Sequence, residues 1–416
     1  MFKMFKSQSR FWSACLGNLF EHYDTALFGF LSPFLAPLFF PKQDPITALI
    51  LTYSMIPMGM LARPIGSLVF GYIGDRYGRK NALFLTLSGM AVVSALIAAC
   101  PTHAQVGFFA PALLCLGRIL QNFLAAGETM GGAIFLLENT EEKHHDLLSS
   151  LYNASTIGGI LLASAGAALL SYYHVIEGGW RLLYVFGCIT ALFGCLLRRN
   201  VEIPNAAEPS TPSITKTLKI FWEYRNSLLL IAIVSGLAYA NYSVALVVMN
   251  GFVPLISDLT KEQMIALNTS LLVFDFAILP FFGWLASKVS REKVMIGSAL
   301  AIAISAIPLF LLLKGATLLT VIGVRICFVV LGVSFFASFH AWSQQLIPPA
   351  HRYLLISFGY ALGSQLFGGP TAALTLWAFK QTGSVSSAAW YWIALALTSS
   401  LGLLLAARSR QKALST

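Results

Sequence analysis

Charged residues interrupt several long apolar stretches of this 416-residue chain, and they are its first candidates for chemistry. A charge held in hydrocarbon costs at least ~2.5–3.5 kcal/mol, so each one needs a partner, a water-filled cavity or a function. Acids in that setting can carry protons, and arginines can bind carboxylates. The residues concerned are four acids and three arginines: Glu21, Asp24, Glu128, Asp275, Arg63, Arg118 and Arg325.

The first apolar stretch carries three polar residues, Asn18, Glu21 and Asp24, at a spacing of three. This spacing places them on one face of a helix, and that face must meet protein or a water-filled cavity. We expect Glu21 or Asp24 to carry a coupled proton, and Asn18 to be a candidate substrate contact. The alternative is a structural ion pair with an arginine from another helix.

A second polar stripe runs through the fourth apolar stretch, with Arg118, Gln121 and Glu128 on one helical face. Arg118 can hold a substrate carboxylate through two parallel hydrogen bonds. It can instead neutralise Glu21 or Asp24, and Gln121 is a further candidate substrate contact. Glu128 is predicted to be a gating or structural residue, with proton transfer as the alternative.

The second half of the chain has fewer candidates. Asp275 and Arg325 are its buried acid and base, and a structural pair between them is the simplest prediction. A substrate role for Arg325 is the alternative, because a central binding site would need residues from both halves of the chain. Tyr360 and Gln365 are candidate cavity-lining residues. Arg63, beside Pro64 in the second stretch, is predicted to be structural or gating.

The composition identifies the elements that must position these residues. Charged residues make up 11% of the chain and hydrophobic residues 57%, whereas about 25% charged residues is usual for soluble proteins. A disordered chain, a nucleic-acid binder and an ordinary soluble enzyme are excluded. Twelve apolar stretches are each long enough to cross a ~30 Å hydrocarbon layer as a helix. They are 11–40, 46–72, 81–100, 105–137, 147–173, 180–197, 226–251, 263–286, 294–313, 317–345, 353–379 and 387–408.

The distribution of basic residues predicts the orientation of these spans. Of the 27 Lys and Arg residues, 19 fall on the side that holds both termini, five fall on the opposite side, and three lie inside spans. An excess of this kind marks the cytoplasmic side. We therefore expect both termini in the cytoplasm, and the net charge of +10 needs no nucleic acid to explain it.

A polar stretch in the middle of the chain divides the spans into six and six. It predicts an N-terminal bundle at 1–197, a cytoplasmic linker at 198–225, a C-terminal bundle at 226–408 and a cytoplasmic tail at 409–416. The loops after spans two and eight support a duplication. They read GYIGDRYGRK at 71–80 and GWLASKVSRE at 283–292, so the second loop is a degenerate copy of the first.

The first of these loops resembles the signature of the major facilitator superfamily. Its pattern is Gly71-x-x-x-Asp75-Arg76-x-Gly78-Arg79-Lys80. Further motifs narrow the resemblance to the metabolite:proton symporter family, which includes proline/betaine, citrate, 2-oxoglutarate and shikimate transporters. Those motifs are Gly17-Asn18-x-x-Glu21-His22-Tyr23-Asp24, Arg63-Pro64-Ile65-Gly66, Arg118-x-x-Gln121 and Gly127-Glu128. His22 and Asn122 depart from the family, which usually has Trp and Gly at these positions.

The resemblance implies an all-α integral membrane fold of two pseudo-symmetric six-helix bundles that work by alternating access. The implied function is proton-coupled import of a small polar metabolite, a carboxylate or a zwitterion such as proline or betaine. The alternative is a proton-antiporting exporter of a metabolite, drug or siderophore. In either case the 71–80 loop, Arg63 and Glu128 are gating candidates.

The sequence lacks the motifs of catalytic and metal-binding sites. No nucleophile motif, paired catalytic carboxylates or metal-ligand cluster is present in the sequence, so we expect no enzymatic activity, no metal and no cofactor beyond the coupling proton. The expected partners are a small-molecule substrate and the lipid bilayer, without nucleic acid. We expect a monomer in the cytoplasmic (inner) membrane of a bacterium.

Overall fold

A computed structural model describes residues 2–41, 43, 48, 51–52, 55, 58–173, 175–199 and 214–415. This part of the chain is helical and contains no β-strand, as the sequence predicts. Helices of ten or more residues are labelled in chain order. They are α1 (Phe2–Phe39), α2 (Ala62–Tyr77), α3 (Arg79–Ala98), α4 (Phe109–Glu138), α5 (His145–Tyr172), α6 (Ile176–Arg199), α7 (Ile214–Glu223), α8 (Arg225–Tyr242), α9 (Lys261–Val289), α10 (Arg291–Leu311), α11 (Leu318–Phe336), α12 (Arg352–Gly363), α13 (Thr371–Thr382) and α14 (Trp390–Ser415).

Among the described residues, nine helical segments are long and apolar enough to cross a membrane. They correspond to nine of the twelve predicted spans and are Arg79–Ala98, Phe109–Glu138, Glu142–Tyr172, Gly178–Leu197, Arg225–Ile256, Ala266–Val289, Arg291–Leu311, Leu318–Gln344 and Val385–Arg408.

The other three predicted spans are not among these nine segments. The stretch 11–40 falls on α1. The stretch 46–72 ends in α2 and begins among residues that are partly outside the described ranges. The stretch 353–379 is divided into α12, a π-helical turn at Ser364–Gly368 and α13. Pro370, which has no backbone N–H, lies between that turn and α13 and accounts for the break.

The packing divides the chain into two compact units. The first unit consists of Met1–Thr140, Ser155–Thr211 and Pro349–Phe358, and the second of Glu141–Ala154, Pro212–Pro348 and Gly359–Thr416. Of the predicted linker at 198–225, residues 200–213 lie outside the described residues, and α7 occupies 214–223. The predicted tail at 409–416 continues α14 as far as Ser415.

Small residues let the helices of the first unit approach closely, as in other helical membrane proteins. A Cβ atom at Gly159 would lie 2.2 Å from the backbone oxygen of Leu19, so α5 and α1 pack backbone to backbone. A Cβ at Gly66 would lie 2.1 Å from the backbone oxygen of Phe123. These contacts place α1 against α5 and α2 against α4.

A glycine also allows close helix packing in the second unit. A Cβ at Gly363 would lie 1.9 Å from the backbone oxygen of Ala232, which brings α12 against α8. Helix α8 continues through a π-helical turn at Ser243–Val248 into Met249–Ile256. A π turn leaves backbone groups outside the regular α-helical pattern and therefore needs support from elsewhere.

Candidate functional site

Asp24 lies on α1 and is 3% exposed. Its Oδ2 accepts a 2.5 Å hydrogen bond from Ser94 Oγ of α3 and a second hydrogen bond from Gln121 Nε2 of α4. Its Oδ1 is buried and has no hydrogen-bond partner among the described residues. Helix α6 comes near that atom because Gly187 has no side chain, and a Cβ there would lie 2.8 Å from Oδ1. The hydrogen-bond partners of this buried acid are therefore uncharged.

Arg118 also contacts Gln121 rather than an acid. It is 3% exposed, its Nη1 donates to Gln121 Oε1, and its Nη2 donates to the backbone oxygen of Thr25 at 3.3 Å. The guanidinium lies 4.5 Å from the centre of the Phe28 ring, a favourable cation–π distance. Its Nε has no partner within the described residues. Gln121 therefore bridges Arg118 and Asp24.

Glu21 has different surroundings, although it is equally buried. Its Oε2 lies 2.5 Å from His22 Nδ1 and accepts from Thr129 Oγ1 at 3.4 Å. Its Oε1 lies 4.0 Å from Arg63 Nη2, and Arg63 Nε donates to Asn122 Oδ1 at 3.0 Å. Glu21 thus has an arginine partner from α2, which corresponds to the structural ion pair that the sequence left open.

Asn18 of α1 and Glu128 of α4, the other polar residues of the two stripes, connect helices. Asn18 Nδ2 donates to Ser155 Oγ and Thr156 Oγ1, each at 2.8 Å, and so joins α1 to α5. Glu128 is fully buried, and its Oε2 accepts from Thr86 Oγ1 of α3 at 3.3 Å. In the described structure neither residue is brought into the group formed by Asp24, Gln121 and Arg118.

The 71–80 loop holds the beginning of α12 through Asp75. Its carboxylate accepts from the backbone N–H groups of Tyr353 at 3.3 Å and Leu354 at 3.0 Å, near the N-terminus of that helix. Helix N-termini have unpaired N–H groups and favour negative charge. Burial raises the pKa of Asp75 to about 7, although both backbone bonds and Arg79 oppose that shift.

A shared acid completes this loop site. Arg79 forms an ion pair with Glu138, the last residue of α4, and Arg352 Nη1 lies 3.1 Å from Glu138 Oε1. Arg79 Nη2 also donates to the backbone oxygen of Pro349 at 2.6 Å. The sequence prediction omitted Glu138. An acid in the last turn of a helix opposes the helix dipole unless cations pair with it, and this was the available signal.

Glycines make room for the same contact. A Cβ at Gly74 would lie 1.7 Å from Tyr353 Cδ1, and one at Gly131 would lie 2.1 Å from the Tyr353 hydroxyl, which donates to the backbone oxygen of Gly127 at 2.5 Å. A Cβ at Gly71 would lie 2.7 Å from Leu354 Cα.

The remaining loop residues shape the turn. Gly78 has φ +92°, a conformation that other residues rarely adopt, between α2 and α3. Arg76 contacts Tyr72 and Tyr77, and Lys80 is half-buried at the start of α3.

The degenerate copy of the loop, in the second unit, uses its charges differently. Ser287 stands where the first copy has Asp75, and Ser290, with φ +142°, stands where it has Gly78. Arg291 pairs with Asp146 near the start of α5 at 3.0 Å and donates to the backbone oxygen of Ala341 at 3.1 Å. The acid is therefore supplied by the neighbouring helix rather than by the loop.

The predicted pair between Asp275 and Arg325 is not formed. Arg325 is fully buried, and its Nε and Nη1 donate to the backbone oxygens of Ala245 at 3.1 Å and Met264 at 3.0 Å, while Nη2 donates to Asn268 Oδ1. Ala245 lies in the π-helical turn after α8, and backbone oxygens at such a break satisfy a guanidinium without an acid. Asp275 has no hydrogen bond or ion pair with a described residue.

The other candidates of the second unit make local contacts. The Tyr360 ring lies 5.7 Å from that of Phe339, and Gln365 lies in the π-helical turn before α13. His340 Nε2 lies 2.8 Å from Asn153 Oδ1. Among the described residues, no group of three or more His, Cys, Asp or Glu side chains could hold a metal ion.

Comparisons with known proteins identify the class of protein. Residues 11–203 match the model of the sugar (and other) transporter family. The chain is 30% identical over 402 residues to a putative proline/betaine transporter of Staphylococcus haemolyticus, a match that covers 92% of this chain and 84% of that protein. It is 30% identical over 396 residues to the citrate-proton symporter of Salmonella typhi, covering 92% and 89%.

A solved structure shows the same fold. The proton:xylose symporter superposes with a TM-score of 0.71 at 17% sequence identity, over 96% of this chain and 95% of that one. The protein is thus a membrane transporter and not an enzyme. The chain belongs to the major facilitator superfamily and, within it, to the metabolite:proton symporter family.

Proposed function

We propose that this protein is a secondary active transporter that imports a small carboxylate-bearing metabolite together with protons by alternating access. The substrate class is a zwitterion such as proline or betaine, or an organic acid. Relatives named as a proline/betaine transporter and a citrate-proton symporter support this range. The excess of Lys and Arg on one side of the predicted spans supports cytoplasmic termini in a bacterial inner membrane. We further propose that the protein works as a monomer.

The observation that carries the proposal is the contrast between the two acids of α1. Glu21 lies 4.0 Å from the cation Arg63, with which it forms an ion pair. Asp24 is buried with uncharged partners, Ser94 and Gln121, a setting that tolerates the protonated form. We therefore assign the coupled proton to Asp24.

Arg118 links this proton to the substrate. When Asp24 is ionised, the two charges balance through the bridging Gln121. When Asp24 is protonated, the guanidinium is left uncompensated, and a buried positive charge needs an anion. A substrate carboxylate can supply it by accepting from the Nε donor that has no partner in the described residues. Protonation of Asp24 then favours substrate binding, and by linkage substrate binding favours protonation.

The loop site is proposed to gate the cycle. Asp75, Arg79 and Glu138 hold the segment at the start of α12 through charged hydrogen bonds, and Tyr353 fits against glycines that leave no room for a side chain. Such close packing is either formed or broken rather than gradually adjusted. We expect this contact to break when the carrier reorients, with Arg63 and Glu128 supporting the surrounding helices.

Uptake into proteoliposomes tests the function. Purified protein is reconstituted with an alkaline interior and supplied in turn with labelled proline, betaine, citrate, 2-oxoglutarate and shikimate. We expect at least one compound to accumulate inside, and a protonophore to abolish the accumulation. Empty liposomes are the control. Proton-driven movement of substrate in the opposite direction to the proton would establish antiport and contradict the proposal, and so would equilibration that no gradient affects.

A further inference from the structure

Helix α7 is a short helix held at the end of a membrane span. Its ten residues, Ile214–Glu223, extend about 15 Å, half of a ~30 Å hydrocarbon layer. Only Tyr224, which has non-helical backbone angles (φ −95°, ψ 15°), separates it from α8 and the candidate span Arg225–Ile256. Helix α7 is therefore too short to cross the membrane, and it ends where a candidate span begins.

Two large apolar side chains of α7, those of Leu218 and Trp222, are exposed. Ile214, Leu218 and Phe221 recur at the helical spacing of four and three, with Trp222 beside them. Leu218 is 65% exposed and Trp222 is 71% exposed. The exposed apolar surface continues on α8 at Leu229. This continuity with a membrane span favours lipid as the partner of the face.

The charges of residues 214–225 indicate the charge of the lipid headgroups that this segment would bind. Lys219 is exposed at the edge of the apolar face, one helical step beyond Trp222, and Arg225 follows at the start of α8. The Arg225 guanidinium lies 4.7 Å from the centre of the Trp222 ring, and its Nη1 donates to the Trp222 backbone oxygen at 2.8 Å. Tryptophan favours the level of the headgroups, so this contact places a cation at that level. Three basic residues and one acid, Glu223, give 214–225 a net positive charge.

We propose that α7 is an interfacial helix that binds anionic phospholipids. Leu218 and Trp222 enter the boundary between headgroups and acyl chains, and Lys219 and Arg225 contact anionic headgroups. Amphipathic helices with basic polar faces and aromatic apolar faces bind membrane surfaces in this way. The anionic lipid content of the membrane then determines how firmly the start of α8 is held.

Fluorescence quenching of Trp222 tests the proposal independently of transport. The full-length protein is reconstituted in vesicles of phosphatidylcholine with increasing fractions of phosphatidylglycerol, using lipids brominated near the headgroup end of the acyl chains. The signal of the Trp222→Phe variant is subtracted to isolate the Trp222 contribution. We expect quenching that increases with the fraction of phosphatidylglycerol. In the K219Q/R225Q double variant, the affinity for phosphatidylglycerol should fall by about fivefold for each charge removed.

Two exposed lysines elsewhere provide the charge-matched control. The K143Q/K293Q variant removes the same charge and should quench as the wild-type protein does. Equal Trp222 quenching at every phosphatidylglycerol fraction would overturn the anionic-lipid assignment, as would an equal effect of both double variants. The absence of any lipid quenching of Trp222 would show that this face does not meet the bilayer. Thermal unfolding of each variant in detergent confirms that loss of quenching is not loss of fold.

Discussion

Replacing Asp24 with asparagine should uncouple transport from the proton gradient. Asparagine has the same shape, and its Oδ1 can accept the hydrogen bonds from Ser94 and Gln121. The free energy of unfolding should therefore change by no more than ~1 kcal/mol. The variant cannot bind a proton at this position, so Arg118 can still receive a substrate carboxylate while no proton accompanies it.

The expected loss follows from the driving force. For a zwitterion imported with one proton, a potential of about 100 mV contributes ~2.3 kcal/mol. A gradient of about one pH unit adds ~1.4 kcal/mol, and together these allow an accumulation of roughly 500-fold. The Asp24→Asn variant should equilibrate its substrate to a ratio of about one. Exchange of labelled for unlabelled substrate across the same liposomes needs no gradient and should persist.

Two acids provide controls for this assay. Glu21→Gln changes the acid that lies near Arg63, and Asp275→Asn changes a half-buried acid of the second unit, so both variants should still accumulate substrate against a gradient. Wild-type accumulation by Asp24→Asn would refute the assignment of the proton to Asp24. Loss of accumulation in Glu21→Gln alone, with exchange intact, would transfer the role to Glu21.

Three further predictions concern the loop site and the second unit. Burial raises the pKa of Asp75 from 3.8 to about 7, so between these pH values the folded protein holds a proton that the unfolded chain releases. The free energy of unfolding should therefore fall as the pH rises from about 4 to about 7. Asp75→Asn should reduce this pH dependence of the melting temperature, and an unchanged pH dependence would contradict the argument. Arg325→Met should lower the melting temperature by several degrees, because it leaves the buried oxygens that Arg325 binds without a donor, at a cost of ~1–3 kcal/mol of stability for each. An unchanged melting temperature with weaker substrate affinity would instead support a substrate role for Arg325. Gly74→Ala should destabilise the protein by crowding Tyr353, and Tyr353→Ala in the same background should restore part of the stability; strictly additive losses would show that the two residues do not interact.

Local patterns in the sequence predicted the membrane fold and the grouping of polar residues within single helices. The apolar stretches predicted nine segments that the structure shows as long apolar helices. Helical spacing alone placed Asn18, Glu21 and Asp24 on one face of α1 and placed Arg118 with Gln121 on one face of α4. Both predictions depend on residues close together in the chain.

Local sequence patterns could not predict contacts between residues on different helices. Spacing along α1 could not show that Arg63 would lie near Glu21 while Ser94 would contact Asp24, because each partner depends on how α2 and α3 pack. The predicted pair between Arg325 and Asp275 was wrong because a π-helical turn supplies a backbone oxygen to Arg325, and apolar periodicity carries no sign of such a turn. Helix α7 lies within 198–225, a stretch whose polar residues predict only a linker.

The two loop copies hold their arginines through different partners. In the first copy Arg79 pairs with Glu138 of α4, while the loop acid Asp75 binds backbone N–H groups. In the second copy Arg291 pairs with Asp146 of α5, and Ser287 stands in place of the loop acid. Grafting the first loop onto the second position, as Ser287→Asp, would add an acid four residues before Arg291, which already pairs with Asp146. The two loop copies are therefore not interchangeable, although their sequences align along the whole loop.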